Sequence, residues 1–194
     1  MDLSPEELNF FSEIFKPNKT SVSHENTLTL QSDVPADIAQ LLSNANLTLL
    51  AEVAHYQLWF PLSLKVDGSG SISPVISAPE VIDTQGTQRS WRWSKLDIKS
   101  KDFCIESLSS TGIFLKPLDN TKHIEGVKNI EFTLPNDEKV CIKIEPIRQS
   151  KQGIAAKIIS IDTGKEALKA YLFEEHKRQY AALYDAGVLI DHVG

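Results

Sequence analysis

Cysteine is nearly absent from this 194-residue chain, and the two that occur, Cys104 and Cys141, stand in alternating apolar runs without metal-ligand spacing. The sequence predicts buried reduced thiols, with a disulfide between them as the alternative. The five histidines, His24, His55, His123, His176 and His192, are scattered and form no H-x-x-x-H or Cys/His pair, which argues against a zinc site. No apolar run approaches the length that spans a bilayer, and the opening MDLSPEEL lacks the basic–apolar layout of a signal peptide, so a cytoplasmic protein is expected. Gly164-Lys165 has no G-x-x-x-x-G-K-[ST] loop before it, and no serine sits in a G-x-S-x-G elbow. The acids Asp67, Asp83, Asp97 and Asp162 show no pairing pattern, so the chain is not expected to be an enzyme or to hold a metal or cofactor. A basic excess is also missing: the net charge of −6 argues against DNA or RNA as a partner, while leaving room for a small anion held by a local basic cluster. There is no internal repeat and no low-complexity tract.

What remains is an ordinary globular composition, 41% hydrophobic and 24% charged, in a length that makes one domain or two small ones. A short helix is expected from Ser4, with Pro5 at its first position, Glu7 completing a capping box, and Leu8, Phe11, Ile14 and Phe15 on one face. That face docks on its own domain or on a protein partner. After a polar stretch with a short extended piece at 28–30, a second helix is expected over 35–43. Strands follow at 47–53, 56–66 and 71–77, with Asp67-Gly-Ser-Gly as a turn and Pro61 marking an edge or bulge. Pro79 and Gly86 mark 79–88 as a linker between a small α+β domain, 1–78, and a second domain, 89–194. In the latter, strands are expected at 93–99, 102–107, 112–116, 129–134, 139–146 and 153–161, and such short, evenly spaced strands predict an antiparallel β-barrel or sandwich. A helix from Gly164 or Lys165 to Leu183 would turn Leu168, Tyr171, Leu172, His176, Gln179 and Leu183 inward, before an apolar tail at 188–194.

Only four arginines occur, and two of them, Arg89 and Arg92, flank Trp91 just ahead of the strands. Beyond them lies Ser107-Leu-Ser-Ser-Thr-Gly112, a corner of small hydroxyl residues closed by a glycine. Guanidinium forks match phosphate oxygens and the O6/N7 edge of guanine better than lysine does. Ser109 and Ser110 can bond locally, and Gly112 permits a close approach. Two readings follow: a site for a guanine nucleotide with phosphates, or surface arginines at a domain junction beside a hairpin corner. Trp91 and Trp93 share parity in an extended segment, so both rings face one way. They pack between domains, or one of them touches a ligand.

These residues carry a resemblance. The stretch from Arg89 is similar to a PilZ domain, which bears R-x-x-x-R ahead of its barrel and [D/N]-x-S-x-x-G at the end of a strand. Arg89 and Arg92 stand as R-x-x-R, one residue shorter, and Ser107, Ser109 and Gly112 as S-x-S-x-x-G, with Ser107 in place of the acid or amide. The resemblance covers about Arg89 to Leu183; the segment before it resembles, more faintly, the N-terminal barrel of flagellar brake proteins. It implies a mainly β fold, an antiparallel PilZ-like barrel with a C-terminal helix, preceded by a small α+β N-terminal domain. It further implies a bacterial signalling protein of motility or biofilm control that binds cyclic di-GMP and acts through rearrangement of domains or of a protein partner, including a second copy of itself. Arg89 and Arg92 would grip guanine and phosphate, Ser107 would take the part of the missing acid, Ser109 would bond a guanine edge or nearby backbone, Gly112 would hold the corner open, and Trp91 would adjoin the ligand. The alternative is a PilZ-like protein-interaction module that does not bind the nucleotide.

Overall fold

The computed structural model describes residues 27–29, 42, 45–66, 68, 72–119 and 124–184. The helix expected from Ser4, all but Leu42 of the helix at 35–43, all but Gly68 of the turn at 67–70, and the tail at 188–194 lie outside the described residues, as do His24, His123 and His192. In chain order the strands are β1 (Thr27–Thr29), β2 (Leu47–Val53), β3 (Tyr56–Val66), β4 (Ile72–Ser77), β5 (Glu80–Asp83), β6 (Arg89–Ser90), β7 (Trp93–Lys99), β8 (Phe103–Leu108), β9 (Gly112–Pro117), β10 (Lys128–Thr133), β11 (Lys139–Ser150) and β12 (Gly153–Thr163). Helices α1 (Lys165–Gln179) and α2 (Ala181–Tyr184) follow.

The chain divides into two compact units. One gathers residues 1–48, 61–77 and 177–194; its described ladders are antiparallel, β1 on β4 and Leu62–Val66 of β3 on β4. The other gathers 49–60 and 78–176. In it Tyr56–Trp59 of β3 pairs with β5, and Ile82–Asp83 of β5 with β6. Pro61 falls where β3 exchanges β5 for β4 as its partner, and β2 pairs with β3 as well.

The second unit is built on a six-stranded antiparallel sheet in the order β10-β11-β12-β9-β8-β7. Alternation drives it: Ile130 and Phe132 of β10 and Val140, Ile142 and Ile144 of β11 are buried while their neighbours face out. Asp137 turns the chain between these strands with φ of 66°, a left-handed conformation that a short polar side chain tolerates. The sheet curls until β10 lies against β7. Lys128 on β10 thereby reaches the β8 side, 3.7 Å from Asp102 and 5.1 Å from the centre of the Phe103 ring. The expected mainly β, antiparallel, barrel-like fold ending in a helix is what the structure shows.

Helix α1 buries Leu168, Tyr171, Leu172 and His176 as expected, whereas Gln179 is exposed and Glu175 is buried. Phe173 meets Phe60 edge-on at 6.0 Å. His176 is 0% exposed, with Tyr56 and Trp91 against its ring at 4.4 and 4.9 Å, both edge-on. Burial, and secondarily the nearby His55, lowers its pKa to about 4, opposed by Asp83. The folded state thus keeps a neutral imidazole that the unfolded chain protonates near its ordinary value of 6.5. This contribution is fully present above the unfolded pKa and is lost as pH falls through the window from 6.5 to about 4. Urea unfolding should lose about 2 kcal/mol between pH 7 and pH 5 through this group alone. His176→Phe should remove that part of the slope; an identical slope in the variant would assign the pH dependence to other groups.

Candidate functional site

Arg89 lies in β6, exposed, opposite Asp83 of β5. Arg89–Ser90 is a short strand, and so is Glu80–Asp83 within the expected linker 79–88. Trp91 N donates to Val81 O at 2.8 Å and carries the ladder one residue further. The Trp91 side chain turns inward: it is 7% exposed, 5.8 Å from the Trp93 ring at 31° and against His176. Between β6 and β7 the strand is interrupted at Trp91 and Arg92. In an unbroken strand, residues three apart face opposite sides; the break releases Arg92 from that parity.

Ser107 reaches Arg92 through a second irregularity. Phe103 and Ile105 of β8 point inward, so strict alternation would bury Ser107 and expose Leu108. The β8–β9 register shifts between Ile105 and Ser107, and the outcome is reversed: Leu108 is fully buried and Ser107 is half-buried. Arg92 Nη1 then donates to Ser107 Oγ at 2.9 Å. Its other terminal nitrogen lies over Gly112, where a Cβ would come within 2.6 Å of Nη2. Glycine is therefore what lets the guanidinium rest on the corner. Ser109, 2% exposed, closes that corner: its Oγ accepts from Gly112 N at 3.0 Å and donates to Gly112 O at 3.2 Å, beside a 2.8 Å backbone bond from Ser109 N to Gly112 O. Thr111 O accepts from Ile158 N at 2.9 Å, which fixes the corner to β12.

The structure thus brings Arg92, Ser107, Ser109 and Gly112 together, with Arg89 near enough for its charge to act on Arg92. Although Arg92 as a residue is exposed, its guanidinium is sheltered where it meets the corner. That burial, with the Arg89 charge as the smaller cause, lowers its pKa; guanidinium remains protonated at any physiological pH. Among the described residues neither arginine has a carboxylate partner, and the single hydrogen bond to Ser107 uses one of the five donors of Arg92. Asp83, opposite Arg89, instead accepts from Gln85 N at 2.9 Å and lies 3.9 Å from His55. Two adjacent uncompensated cations, one of them held by a preset hydrogen bond, form a place suited to an anion.

Glu80 is a member that spacing does not reveal. Its Oε1 accepts from Ser90 Oγ at 2.8 Å and from Ser110 Oγ at 2.6 Å, and so ties the β5–β6 hairpin to the corner. Its partners stand 10 and 30 residues away, and no local pattern announces them. The cysteines, expected buried, are free and half-buried. No helix among the described residues is long and apolar enough to cross a membrane.

No family model matches the chain, and no curated protein matches it. A solved structure described as the Bacillus subtilis inhibitor of motility, MotI/DgrA, is similar at 13% sequence identity, over 82% of this chain and 87% of that one, with a TM-score of 0.37.

Proposed function

We propose that this chain is a PilZ-type regulatory protein that binds cyclic di-GMP at Arg89, Arg92 and the Ser107–Gly112 corner, and works by binding, not by turnover. The observation that carries the reading is the pair of uncompensated guanidinium groups, with Arg92 seated on Gly112 and held by Ser107. The motif resemblance in R-x-x-R and S-x-S-x-x-G supplies the identity of the anion. Free donors of both arginines would meet phosphate oxygens and guanine O6/N7. Ser107 would position Arg92 rather than read a base, because a hydroxyl accepts more weakly than the carboxylate it replaces. A ligand held there regulates only through different affinities for two states of the protein or of its partner complex.

A second reading, an interaction module without the nucleotide, is favoured by Glu80. Its carboxylate sits on Ser110 at the corner and would oppose a phosphate nearby. Titration calorimetry with cyclic di-GMP on the wild type, Arg89→Ala and Arg92→Ala separates the two. Each bidentate contact contributes about 1–3 kcal/mol, so Arg92→Ala should weaken binding roughly tenfold or more. Absence of heat up to about 100 μM ligand would decide for the interaction module. Binding unchanged in both variants would keep the ligand and remove it from this site.

A further inference from the structure

We infer that the second unit carries another anion site, at the far end of the β7–β8 hairpin from the arginine pair, which takes a small phosphorylated molecule. Here the β7–β8 turn faces the β10–β11 hairpin across a cleft of about 430 Å³. Among the described residues, no ladder joins β10 to β7, the two ends of the sheet, and the cleft lies beside that open seam. Lys99 and Lys101 line it from one side and Lys139 from the other, and Thr133 and Thr163 line it too, while the Ser100 hydroxyl is spent on Phe103 O at 3.1 Å. None of the three lysines forms an ion pair among the described residues.

The side chains converge because of register. Lys139 pairs with Thr133, and Cys141 pairs with both Glu131 and Thr163, so these residues share the outward face while Phe132 and Val140 turn into the core. Three ammonium groups line the cleft against one lining carboxylate, Glu131. Of the charges just outside it that act on Cys141, Asp162 is opposed by Lys143, which leaves a local positive excess in a chain of net charge −6. Lysine binds phosphate as a mobile point charge, and the hydroxyls of Thr133 and Thr163 would donate to the remaining oxygens. Glu131 can accept from a hydroxyl or amine on the same ligand. The volume lies in the range of small-molecule sites, about 300–1,000 Å³. This cleft is separate from the arginine pair: Ser94 pairs with Ser107 but Lys99 with Cys104, which is three residues along β8, or about 10 Å.

Inorganic pyrophosphate, titrated to about 10 mM into the full-length chain at low salt, is the probe, with backbone amide NMR shifts as the readout. The site predicts saturable shifts centred on Ser100, Thr133 and Thr163. Lys101→Ala or Lys139→Ala should weaken the apparent affinity about threefold or more, added salt should weaken it further, and Arg92→Ala should leave it unchanged. Shifts absent, spread over exposed lysines outside the cleft, or abolished by Arg92→Ala would each overturn the proposal. The Arg92→Ala arm also keeps its fate distinct from that of the cyclic di-GMP reading.

Discussion

Gly112→Ala should abolish most cyclic di-GMP affinity while leaving the protein as stable as the wild type. The added Cβ would stand 2.6 Å from Arg92 Nη2 but 3.5 Å from Ala156 O and 3.7 Å from Ser109 Oγ, the latter two being ordinary contacts. Gly112 does not have a positive φ, so alanine brings no backbone strain, and in a strand it offsets part of the entropy that glycine loses on folding. What must give is the end of a flexible arginine. Arg92 therefore leaves its seat and its bond to Ser107, and the expected loss is roughly tenfold or more in affinity, with a stability change within about 0.5 kcal/mol. Calorimetric titration together with a thermal melt checks both halves. If the corner were only a hairpin turn, ligand affinity would not respond to this methyl group.

Gly164→Ala should give the opposite outcome, a large loss of stability. Gly164 joins β12 to α1 at φ 76°, and its carbonyl accepts the first helical bond, from Leu168 N at 2.8 Å. A Cβ there would collide with Lys139 O and lie 3.0 Å from Val140 Cγ2 and 3.1 Å from Val140 Cα. These are mostly backbone atoms of β11, held by pairing with β10, and they cannot swing away as Arg92 can. Left-handed strain and forced displacement together should cost about 2–4 kcal/mol, a fall in Tm of about 5–15 °C. A melt within about 2 °C of the wild type would show that β11 yields at this point.

The contrast between these glycines indicates how far the sequence can be read. Alternating apolar residues locate β10 within a residue and the start of β11, because one face of each strand must be buried and the other must not, while the run of β11 from Ile147 to Ser150 carries no such pattern. Trp93–Lys99 carries a weaker pattern, since Trp93 is out of phase with Leu96 and Ile98 and the β7–β8 register shifts between Ser94 and Ile98. Strand β5 is hidden: four residues between Pro79 and Gly86 carry too little pattern to stand against two turn signals, and only pairing with Tyr56–Trp59 makes them a strand. The orientation of Ser107 is hidden too, since alternation sends it inward and the irregularity after Ile105 sends it out. Motif spacing brings Arg92, Ser107, Ser109 and Gly112 into one neighbourhood, but it does not distinguish Ser109, spent on closing its own corner, from Ser107, bonded to the arginine. Glu80 and His176 act through partners distant in the chain, and their roles come from packing alone.

The arginine count makes the central claim directly testable. With four arginines in the chain, the side-chain Nε–H region of a nitrogen-15 NMR spectrum contains four signals, assignable by single substitutions. On addition of cyclic di-GMP the account predicts that the signals of Arg89 and Arg92 shift together and saturate with the same affinity, while Arg148 and Arg178 stay in place. Shifts confined to Arg148 or Arg178, or none at saturating ligand, would contradict it.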